Sequence, residues 1–217
     1  MTNHYPNLNP EKALIWRIVH RDNLAWILDN GLHCASSQKL AEHYEPIGNT
    51  DLIHKRTQRN VPIEPYGTLS DYIPFYFTPF SPMMYNIHTG RGGVKKRANE
   101  EIVILVSSIP KLIDSKVPFI FTDRHAYTVF AEFFNTSDEL IKLDWPIIQQ
   151  RNFQRNQDDP AQIERYQAEA LVYQHCPITS LLGIVCYTDE MKQQLEQIVR
   201  EKSLAIDVRK MTQWYFQ

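Results

Sequence analysis

The sequence predicts a single α+β domain built around a mixed or antiparallel sheet. The clearest strand is the unbroken apolar run EIVILVSS at residues 101–108, which is typical of a strand buried on both faces. The other predicted strands are separated by short helices without a regular βαβ rhythm, which argues against a doubly wound parallel sheet. No internal repeat, low-complexity tract or convincing linker divides the chain, so one domain over residues 1–217 is expected.

The N-terminal part predicts one strand, one helix and a long polar segment. Residues 13–20 (ALIWRIVH) are largely apolar and predict a buried strand that ends in His20. Asp22 is a typical helix N-cap residue, and Gly31 fits the position that follows the helix. Residues 35–60 are polar and contain several turn-forming residues, so this segment is expected to be mobile.

The central part predicts an aromatic strand followed by a capped helix. The strand is YIPFYF at residues 72–77. The Ser-Pro pair at 81–82 is typical of a cap and a first helical residue, and Gly90 is expected to end that helix. Asp123 is expected to cap a further helix through HAYTVFAEFF, residues 125–134.

The C-terminal part predicts three strands and one helix after a long polar arm at residues 145–167. The strands are QAEALVY (167–173), SLLGIVCYT (180–188) and LAIDVRK (204–210), and the helix is MKQQLEQIVREK (191–202).

Composition and motifs exclude several classes of protein. The net charge of −2 excludes a histone-like polymer binder but leaves room for a local basic groove. No apolar run approaches the roughly 20 residues that span a bilayer, and the N-terminus lacks a secretion-signal pattern, so no membrane association is expected. The glycines form neither GxGxxG nor GxxxxGK[ST], which leaves dinucleotide-fold and P-loop interpretations without a motif. Three cysteines without a CxxC are most simply reduced thiols in a cytoplasm.

The histidines give no sign of a metal site. The chain has eight, and none belongs to an HExxH motif, an HxE motif with PCxxC, or a four-ligand zinc spacing. No metal is therefore expected.

Glu169 is the residue that indicates chemistry most directly. A carboxylate inside an alternating strand is unusual, because strand interiors favour branched and aromatic residues. The preceding arm, residues 145–167, mixes arginine with aromatic residues, a composition that suits an anionic polymer with exposed bases. The combination indicates chemistry on nucleic acid. The alternative interpretation is that Glu169 points into solvent from an edge strand.

The end of the first predicted strand is a candidate ligand site. It carries the run HRDN, which is His20, Arg21, Asp22 and Asn23. These side chains would place donors and acceptors near one point at the start of a helix, which suits a ribose or an amide. For His20, the alternative is a core histidine bonded to a backbone carbonyl.

Two further residues have a functional and a structural interpretation. Arg56, in the basic run HKRTQR, is either a solvated charge or a ligand for pyrophosphate, whose oxygens match the guanidinium fork. Most aromatic residues between 72 and 80 are explained by core packing. Tyr85, which follows on the next helix, is a less certain core residue and could stack on a planar heterocycle.

Three separated segments resemble the histidine–tyrosine–glutamate class of ADP-ribosyltransferases: IVHRDN, YFTPFSPMMY and AEALV. Members of that class bind NAD in the cleft of a split sheet. Two longer segments, IGNTDLIHKRTQRNVP and GTLSDYIPFYFTPFSPMMYNIHTG, are similar to the DarT family, bacterial toxins that ADP-ribosylate thymidine in single-stranded DNA. The resemblance runs from about residue 13 to the strand after Glu169 and so covers most of the chain.

The resemblance implies a split mixed or antiparallel sheet with flanking helices, NAD as co-substrate, and no metal. It implies that Glu169 stabilises the positive charge that develops as the glycosidic bond of NAD breaks. It also implies that Arg56 polarises the thymine base and binds NAD phosphate, and that residues 35–60 order over bound NAD. The residues expected to bind NAD are His20, Arg21, Asp22, Asn23, Arg56, Tyr76 and Tyr85.

The arm at residues 145–167 resembles the target-recognition loop that precedes the glutamate strand in these enzymes. Its aromatic residues would stack on bases and its arginines would neutralise phosphates; the alternative is a surface loop whose charges cancel. The residues expected to bind DNA are Arg151, Phe153, Arg155, Arg165 and Tyr166. The partners implied by the resemblance are single-stranded DNA and a macrodomain-type antitoxin.

Two other functions stay open on the sequence. The same fold could transfer ADP-ribose to RNA, to protein or to water. The chain could also be a non-enzymatic module that binds single-stranded nucleic acid. The joint presence of His20, Tyr85 and Glu169 argues against the binding module, which needs no acid beside an anionic ligand.

Overall fold

The computed structural model describes residues 4–39 and 41–217. The predicted domain (1–217) and the predicted covering segment (35–60) include residues 1–3 and 40, which lie outside the described residues. The strands are β1 (Leu14–His20), β2 (Leu32–His33), β3 (Tyr72–Tyr76), β4 (Ile102–Ser108), β5 (Phe119–Thr122), β6 (Phe133–Phe134), β7 (Glu169–Tyr173), β8 (His175–Cys176), β9 (Gly183–Cys186) and β10 (Asp207–Lys210). The α-helices are α1 (Leu24–Asn30), α2 (Thr50–Arg56), α3 (Pro82–Thr89), α4 (Ile109–Asp114), α5 (Trp145–Gln149), α6 (Gln162–Arg165) and α7 (Asp189–Glu201). Short 3-10 turns span Arg21–Asn23, Leu69–Asp71, Asn99–Glu101, Ser137–Lys142, Ile178–Ser180 and Thr212–Trp214.

Eight of the strands form one sheet, in the order β10-β9-β4-β1-β3-β7-β5-β6, and β2 pairs with β8 in a small second sheet. The pairing is antiparallel throughout the large sheet except between β9 and β10, which are parallel. The predicted α+β class with a mixed, mostly antiparallel sheet is confirmed.

The sheet is split between β1 and β3. Seven residue pairs join β1 to β4, whereas β1 and β3 are joined by the one pair Trp16 and Tyr76. The two half-sheets therefore diverge from that point, and the predicted split of the sheet is confirmed.

The strand predicted at residues 101–108 is the centre of the core. All seven residues of β4 are buried, and β4 lies between β1 and β9. A strand covered on both faces needs apolar side chains at every position, which explains the unbroken apolar run. The first predicted strand is confirmed as β1, which pairs with β4 along its full length.

Helix α3 begins and ends where its sequence signals predict. The Ser81 hydroxyl oxygen accepts a hydrogen bond from the Met84 amide at 3.2 Å, and Pro82 is the first helical residue. Gly90 adopts a left-handed φ of 76°, and its amide donates to the Asn86 carbonyl at 2.7 Å. This is the conformation that favours glycine at a helix end.

Two predicted caps are wrong. Asp22 does not cap a helix through its side chain; its own amide donates to Nδ1 of His20 at 3.3 Å, and a 3-10 turn separates β1 from α1. Asp123 does not begin a helix either, because its Oδ1 accepts a hydrogen bond from the Glu132 amide at 2.9 Å. That bond closes a loop over residues 123–132, which we call the β5–β6 loop.

The segment predicted to be mobile contains a helix that the sequence reasoning missed. The side-chain oxygen of Asn49 accepts a hydrogen bond from the Leu52 amide at 2.9 Å and caps α2. The side-chain amide of Asn49 donates to the Gly92 carbonyl at 2.6 Å, so the start of α2 is fastened to the loop that follows α3.

The three cysteines, Cys34, Cys176 and Cys186, are buried and free. Burial raises the pKa of the Cys186 thiol to about 11, so this thiol is protonated at neutral pH. Among the described residues, no helix combines the length and the apolar character that a bilayer crossing requires.

Candidate active site

Glu169 lies at the point where the sheet splits. It is the first residue of β7 and pairs with Tyr76, the same residue that makes the single link to Trp16 of β1. Because β7 lies between β3 and β5, Glu169 is inside the sheet and only 2% exposed. The alternative interpretation, a solvent-facing acid on an edge strand, is therefore excluded.

Three groups surround the Glu169 carboxylate. Nη1 of Arg56 donates to Oε2 at 2.9 Å, and the Ala126 amide donates to Oε1 at 3.0 Å. Nδ1 of His125 lies 3.3 Å from the same Oε1. Burial alone would raise the pKa of Glu169, but the charges of Arg56 and His125 and the Ala126 hydrogen bond outweigh it and hold the pKa below its ordinary value. The site therefore presents a fixed carboxylate anion.

The lowered pKa of Glu169 makes the stability of the folded protein depend on pH. Since the folded pKa of Glu169 lies below its ordinary value of 4.5, the stability that its ionised form contributes is fully present above pH 4.5 and is lost as the pH falls through the folded value. We expect the wild type to lose stability relative to Glu169→Gln only below pH 4.5. Urea unfolding of both proteins at a series of pH values measures this, and a wild type that gains stability relative to the variant on acidification would contradict it.

Arg56 is brought to Glu169 from a distant part of the chain. It is the last residue of α2, its side chain is 11% exposed, and 113 residues separate it from Glu169. Its Nη2 is buried and has no hydrogen-bond partner among the described residues. A buried donor without a partner costs free energy, so Nη2 is a site at which a ligand oxygen would be stabilised.

His125 and the Ala126 amide were missed by the sequence reasoning, which placed both in a helix. They belong to the β5–β6 loop, directly after the end of β5. The Arg59 guanidinium holds this loop by donating from Nη2 to the Thr128 carbonyl at 3.0 Å. A signal was present in the sequence: His125 follows within three residues of the end of the apolar strand β5, and His20 is the last residue of β1.

Tyr76 lines the same cleft as Glu169, and its predicted binding of NAD stays a prediction. Its hydroxyl donates to Sδ of Met83 at 3.4 Å. Burial, and then the Glu169 charge, raise the pKa of Tyr76, so its hydroxyl is neutral. A cavity of about 150 Å³ reaches these residues, and its polar lining includes Arg17, Asn49, Arg56, Tyr76, His125 and Glu169.

The residues of the HRDN run do not line this cavity. The Asn23 side chain exchanges two hydrogen bonds with the backbone of Glu45, each 2.8 Å long. His20 is buried with Nε2 at 3.6 Å from Glu101, while Arg21 and Asp22 are exposed. Arg97 pairs with both Glu45 and Glu101. The HRDN run therefore connects the segment around Glu45 to the end of β1. Direct binding of NAD by the side chains of this run stays a prediction.

Tyr85 does not line the cavity that reaches Glu169, and its predicted binding of NAD stays a prediction. Its ring packs against Phe153 of the arm, with centroids 5.7 Å apart, and against Phe216 at 5.3 Å. All three line a separate groove of about 940 Å³, which we call the arm groove; its charged lining residues are Arg91, Arg151 and Arg155. Tyr85 is thus in contact with the arm.

Two of the residues predicted to bind DNA, Arg165 and Tyr166, make hydrogen bonds within the protein. Arg165 donates to Asp144 at 2.9 Å and to Asp159 at 2.6 Å, and these hydrogen bonds raise its pKa. Its charge is therefore already neutralised within the arm. Tyr166 is 1% exposed and its hydroxyl donates to the Phe80 carbonyl at 3.0 Å, so its ring supports Phe153 from below and is not free to stack on a base.

The arm groove and the cleft adjoin a common cavity. A cavity of about 370 Å³ adjoins the cleft and shares Asn49, Leu52, Tyr76, Met83 and His125 with it. The same cavity shares Pro82, Asn86 and Gln167 with the arm groove. The cleft with Glu169 and the arm groove are therefore neighbours, with this intermediate cavity adjoining both.

The described residues contain no group of three or more histidine, cysteine, aspartate or glutamate side chains that could hold a metal ion.

Comparison with known proteins identifies the family. The family model described as "DarT: ssDNA thymidine ADP-ribosyltransferase, DarT" matches residues 16–216. The chain is 57% identical over 210 residues to a DNA ADP-ribosyl transferase of Escherichia coli O127:H6 (strain E2348/69 / EPEC), covering 97% of this chain and 96% of the relative. It is 35% identical over 215 residues to a DNA ADP-ribosyl transferase of Thermus sp. (strain 2.9), covering 95% and 98% of the two chains.

A solved structure agrees with the sequence relatives. Thermus sp. 2.9 DarT in complex with ADP-ribosylated ssDNA superposes with a TM-score of 0.86 at 31% identity, over 100% of both chains. The same protein in complex with NAD+ gives a TM-score of 0.79 at 31% identity, over 95% of this chain and 99% of that one. The resemblance inferred from the sequence is confirmed, and the chain belongs to the DarT family of single-stranded DNA thymidine ADP-ribosyltransferases.

Proposed function

We propose that this protein is an NAD-dependent ADP-ribosyltransferase that modifies thymidine in single-stranded DNA. The observation that carries the proposal is the Glu169 carboxylate, held ionised by Arg56 and the Ala126 amide at the split of the sheet. Near that carboxylate lies an arm groove with three arginines and no acidic residue in its described lining.

The residues of the cleft fit NAD. The unpartnered Nη2 of Arg56 is a buried donor beside Glu169, and a phosphate or a carbonyl oxygen would satisfy it. Cavities of about 150, 310 and 370 Å³ adjoin α2, so this helix is loosely packed against the sheet. Ligand sites have typical volumes of about 300–1,000 Å³, so we infer that α2 and the rest of residues 35–60 move to admit NAD and then cover it.

Bound NAD supplies a labile N-glycosidic bond, whose cleavage releases nicotinamide and leaves ADP-ribose for the acceptor. Glu169 stabilises the positive charge that develops on the ribose, because its carboxylate is fixed in place and shielded from water. The Ala126 amide and Arg56 hold that carboxylate in one orientation. Arg56 also polarises the thymine ring through its second nitrogen, which assists the loss of the ring proton to water as the new bond to nitrogen forms.

The arm at residues 145–167 binds the acceptor DNA in this proposal. Phe153, Arg151 and Arg155 line the arm groove, where stacking on aromatic rings and neutralisation of phosphate favour single-stranded DNA. Residues 145–167 therefore act as the target-recognition loop in this proposal. The role as a toxin and the macrodomain-type antitoxin rest on the family resemblance, and the cytoplasmic location rests on the three cysteines without a CxxC.

The test is to incubate the protein with NAD and a mixed single-stranded DNA oligonucleotide and to weigh the DNA. We expect the mass of one ADP-ribose unit to be added by the wild type and not by Glu169→Gln. A variant with residues 152–158 replaced by a Gly/Ser linker is expected to hydrolyse NAD but not to modify DNA, because its cleft is intact and its arm groove is not.

The other outcomes separate the alternatives. NAD consumption without any change in DNA mass would reject DNA as the acceptor and point to RNA, protein or water. Neither NAD consumption nor DNA modification, with retained binding of the oligonucleotide, would reject the enzyme and favour a binding module.

A further inference from the structure

One wall of the arm groove comes from the last residues of the chain. Phe216 packs edge-on against Tyr85, with ring centroids 5.3 Å apart and planes at 73°, and against Phe153 at 6.0 Å and 87°. Tyr85 and Phe153 are themselves 5.7 Å apart. Three segments that are distant in sequence, namely α3, the arm and the C-terminal tail, therefore bring three half-buried rings together.

The tail is fixed in this position. Tyr215 is 1% exposed, and its hydroxyl lies 3.1 Å from the carbonyl oxygens of both Ile102 and Val185. The Asn99 side chain donates to the Phe216 carbonyl at 2.9 Å. These bonds anchor the tail to β4 and β9, so Phe216 is held at the groove by the core of the protein.

All charged side chains in the described lining of the arm groove are positive. Arg91, Arg151 and Arg155 line it, and no carboxylate does so in the described part of the chain. The Arg151 guanidinium lies between two rings, 3.9 Å from the centroid of Phe80 and 4.9 Å from that of Phe216. Nη1 of Arg91 donates to the Tyr85 hydroxyl at 3.2 Å. Two of the three arginines are thus positioned by the same aromatic residues that line the groove.

Core packing alone does not explain this arrangement. An apolar cluster would close over itself, whereas these rings border a groove of about 940 Å³ that shares lining residues with the cavity beside the cleft. Tyr166, buried beneath Phe153 at 5.3 Å, makes that ring a rigid platform. A nucleobase binds by stacking on an aromatic ring, and its phosphates bind to arginines that have no acidic partner. An acidic peptide would not use the faces of the rings.

We propose that Tyr85, Phe153 and Phe216 form a stacking pocket for a nucleobase that flanks the acceptor thymidine, with Arg91 and Arg151 neutralising the adjoining phosphates. The C-terminal tail is then a specificity element of the enzyme. This inference rests on the proposed DNA acceptor and adds to it a defined site for a neighbouring base.

The test compares variants of Phe216 in the transfer assay on a single-stranded oligonucleotide. Phe216→Ala is expected to raise the KM for DNA by about fivefold or more, since the loss of base stacking on one aromatic ring weakens binding by at least about that factor. Phe216→Trp is expected to restore the wild-type KM, and Phe216→Leu, which keeps apolar packing without an aromatic face, is not. Hydrolysis of NAD without DNA reports whether each variant has folded, and Gln217→Ala is the matched control for a change in the tail that leaves the ring in place.

A second measurement locates the base. An abasic residue is moved along the oligonucleotide, and the wild type is expected to show a raised KM at one position next to the acceptor. Phe216→Ala should be insensitive to the abasic residue at that position alone. Equal behaviour of the Leu and Trp variants, or an abasic profile that Phe216→Ala leaves unchanged, would overturn the stacking pocket while the wild-type activity still supported the proposed function.

Discussion

Glu169→Gln is expected to lower the rate of ADP-ribosyl transfer by about 10²–10³-fold, the usual cost of losing one preorganised electrostatic group. Glutamine keeps the shape of the side chain and can still accept from the Ala126 amide, but it removes the negative charge that the ribose needs as its bond to nicotinamide breaks. NAD should still bind, because α2 and the remaining lining residues of the cleft are unchanged.

The measurement is kcat on single-stranded DNA, with thermal stabilisation by NAD as the binding assay. Glu190→Gln, an exposed glutamate in the first turn of α7, is the matched control and should behave as the wild type. A glutamine variant with wild-type kcat would remove Glu169 from the chemistry.

Arg56→Met is expected to abolish transfer and to lower the free energy of unfolding by about 3–5 kcal/mol, since breaking a buried ion pair leaves an uncompensated charge. Glu169 is the group left without its main partner, because its side chain is 3% exposed and Arg56 is the largest of the influences that lower its pKa. The double variant Arg56→Met/Glu169→Leu should regain most of the stability, because it removes both charges, and none of the activity.

Urea unfolding and the transfer assay on the same proteins separate the two effects. Lys55→Met removes an exposed charge one residue earlier on the same helix and should leave stability unchanged. If Arg56→Met were as stable as Lys55→Met, the ion pair would not be holding α2 against the sheet.

The elements predicted correctly are those whose signals are local. The apolar run of β4, the Ser-Pro cap of α3 and the glycine at its end each determine structure within a few residues of themselves. Glu169 was recognised from a local signal as well, because an acidic residue is unfavourable inside a strand of apolar residues. Residues that break such local preferences concentrate at functional sites.

The parts that the sequence reasoning missed depend on contacts between distant residues. Helix α2 has two turns, and its last residue pairs with a carboxylate 113 positions later, a partner that no local pattern reveals. Asp123 was interpreted as a cap because it precedes apolar residues, but its bond to Glu132 makes a loop. Tyr166 was expected to meet DNA because its neighbours are polar, and its burial beneath Phe153 follows from how the arm folds back.

The single residue pair between β1 and β3 has a mechanical consequence. Seven residue pairs join β1 to β4, so each half of the sheet is stiff. The seam between the two halves, where β1 meets β3, is held by the one pair Trp16 and Tyr76. Parting the seam there breaks about one backbone pairing, a cost of roughly 0.5–1.5 kcal/mol for each hydrogen bond lost. No other two neighbouring strands of the described sheet are joined by so few residue pairs, and this weakest backbone connection lies beside Glu169, which pairs with the same Tyr76.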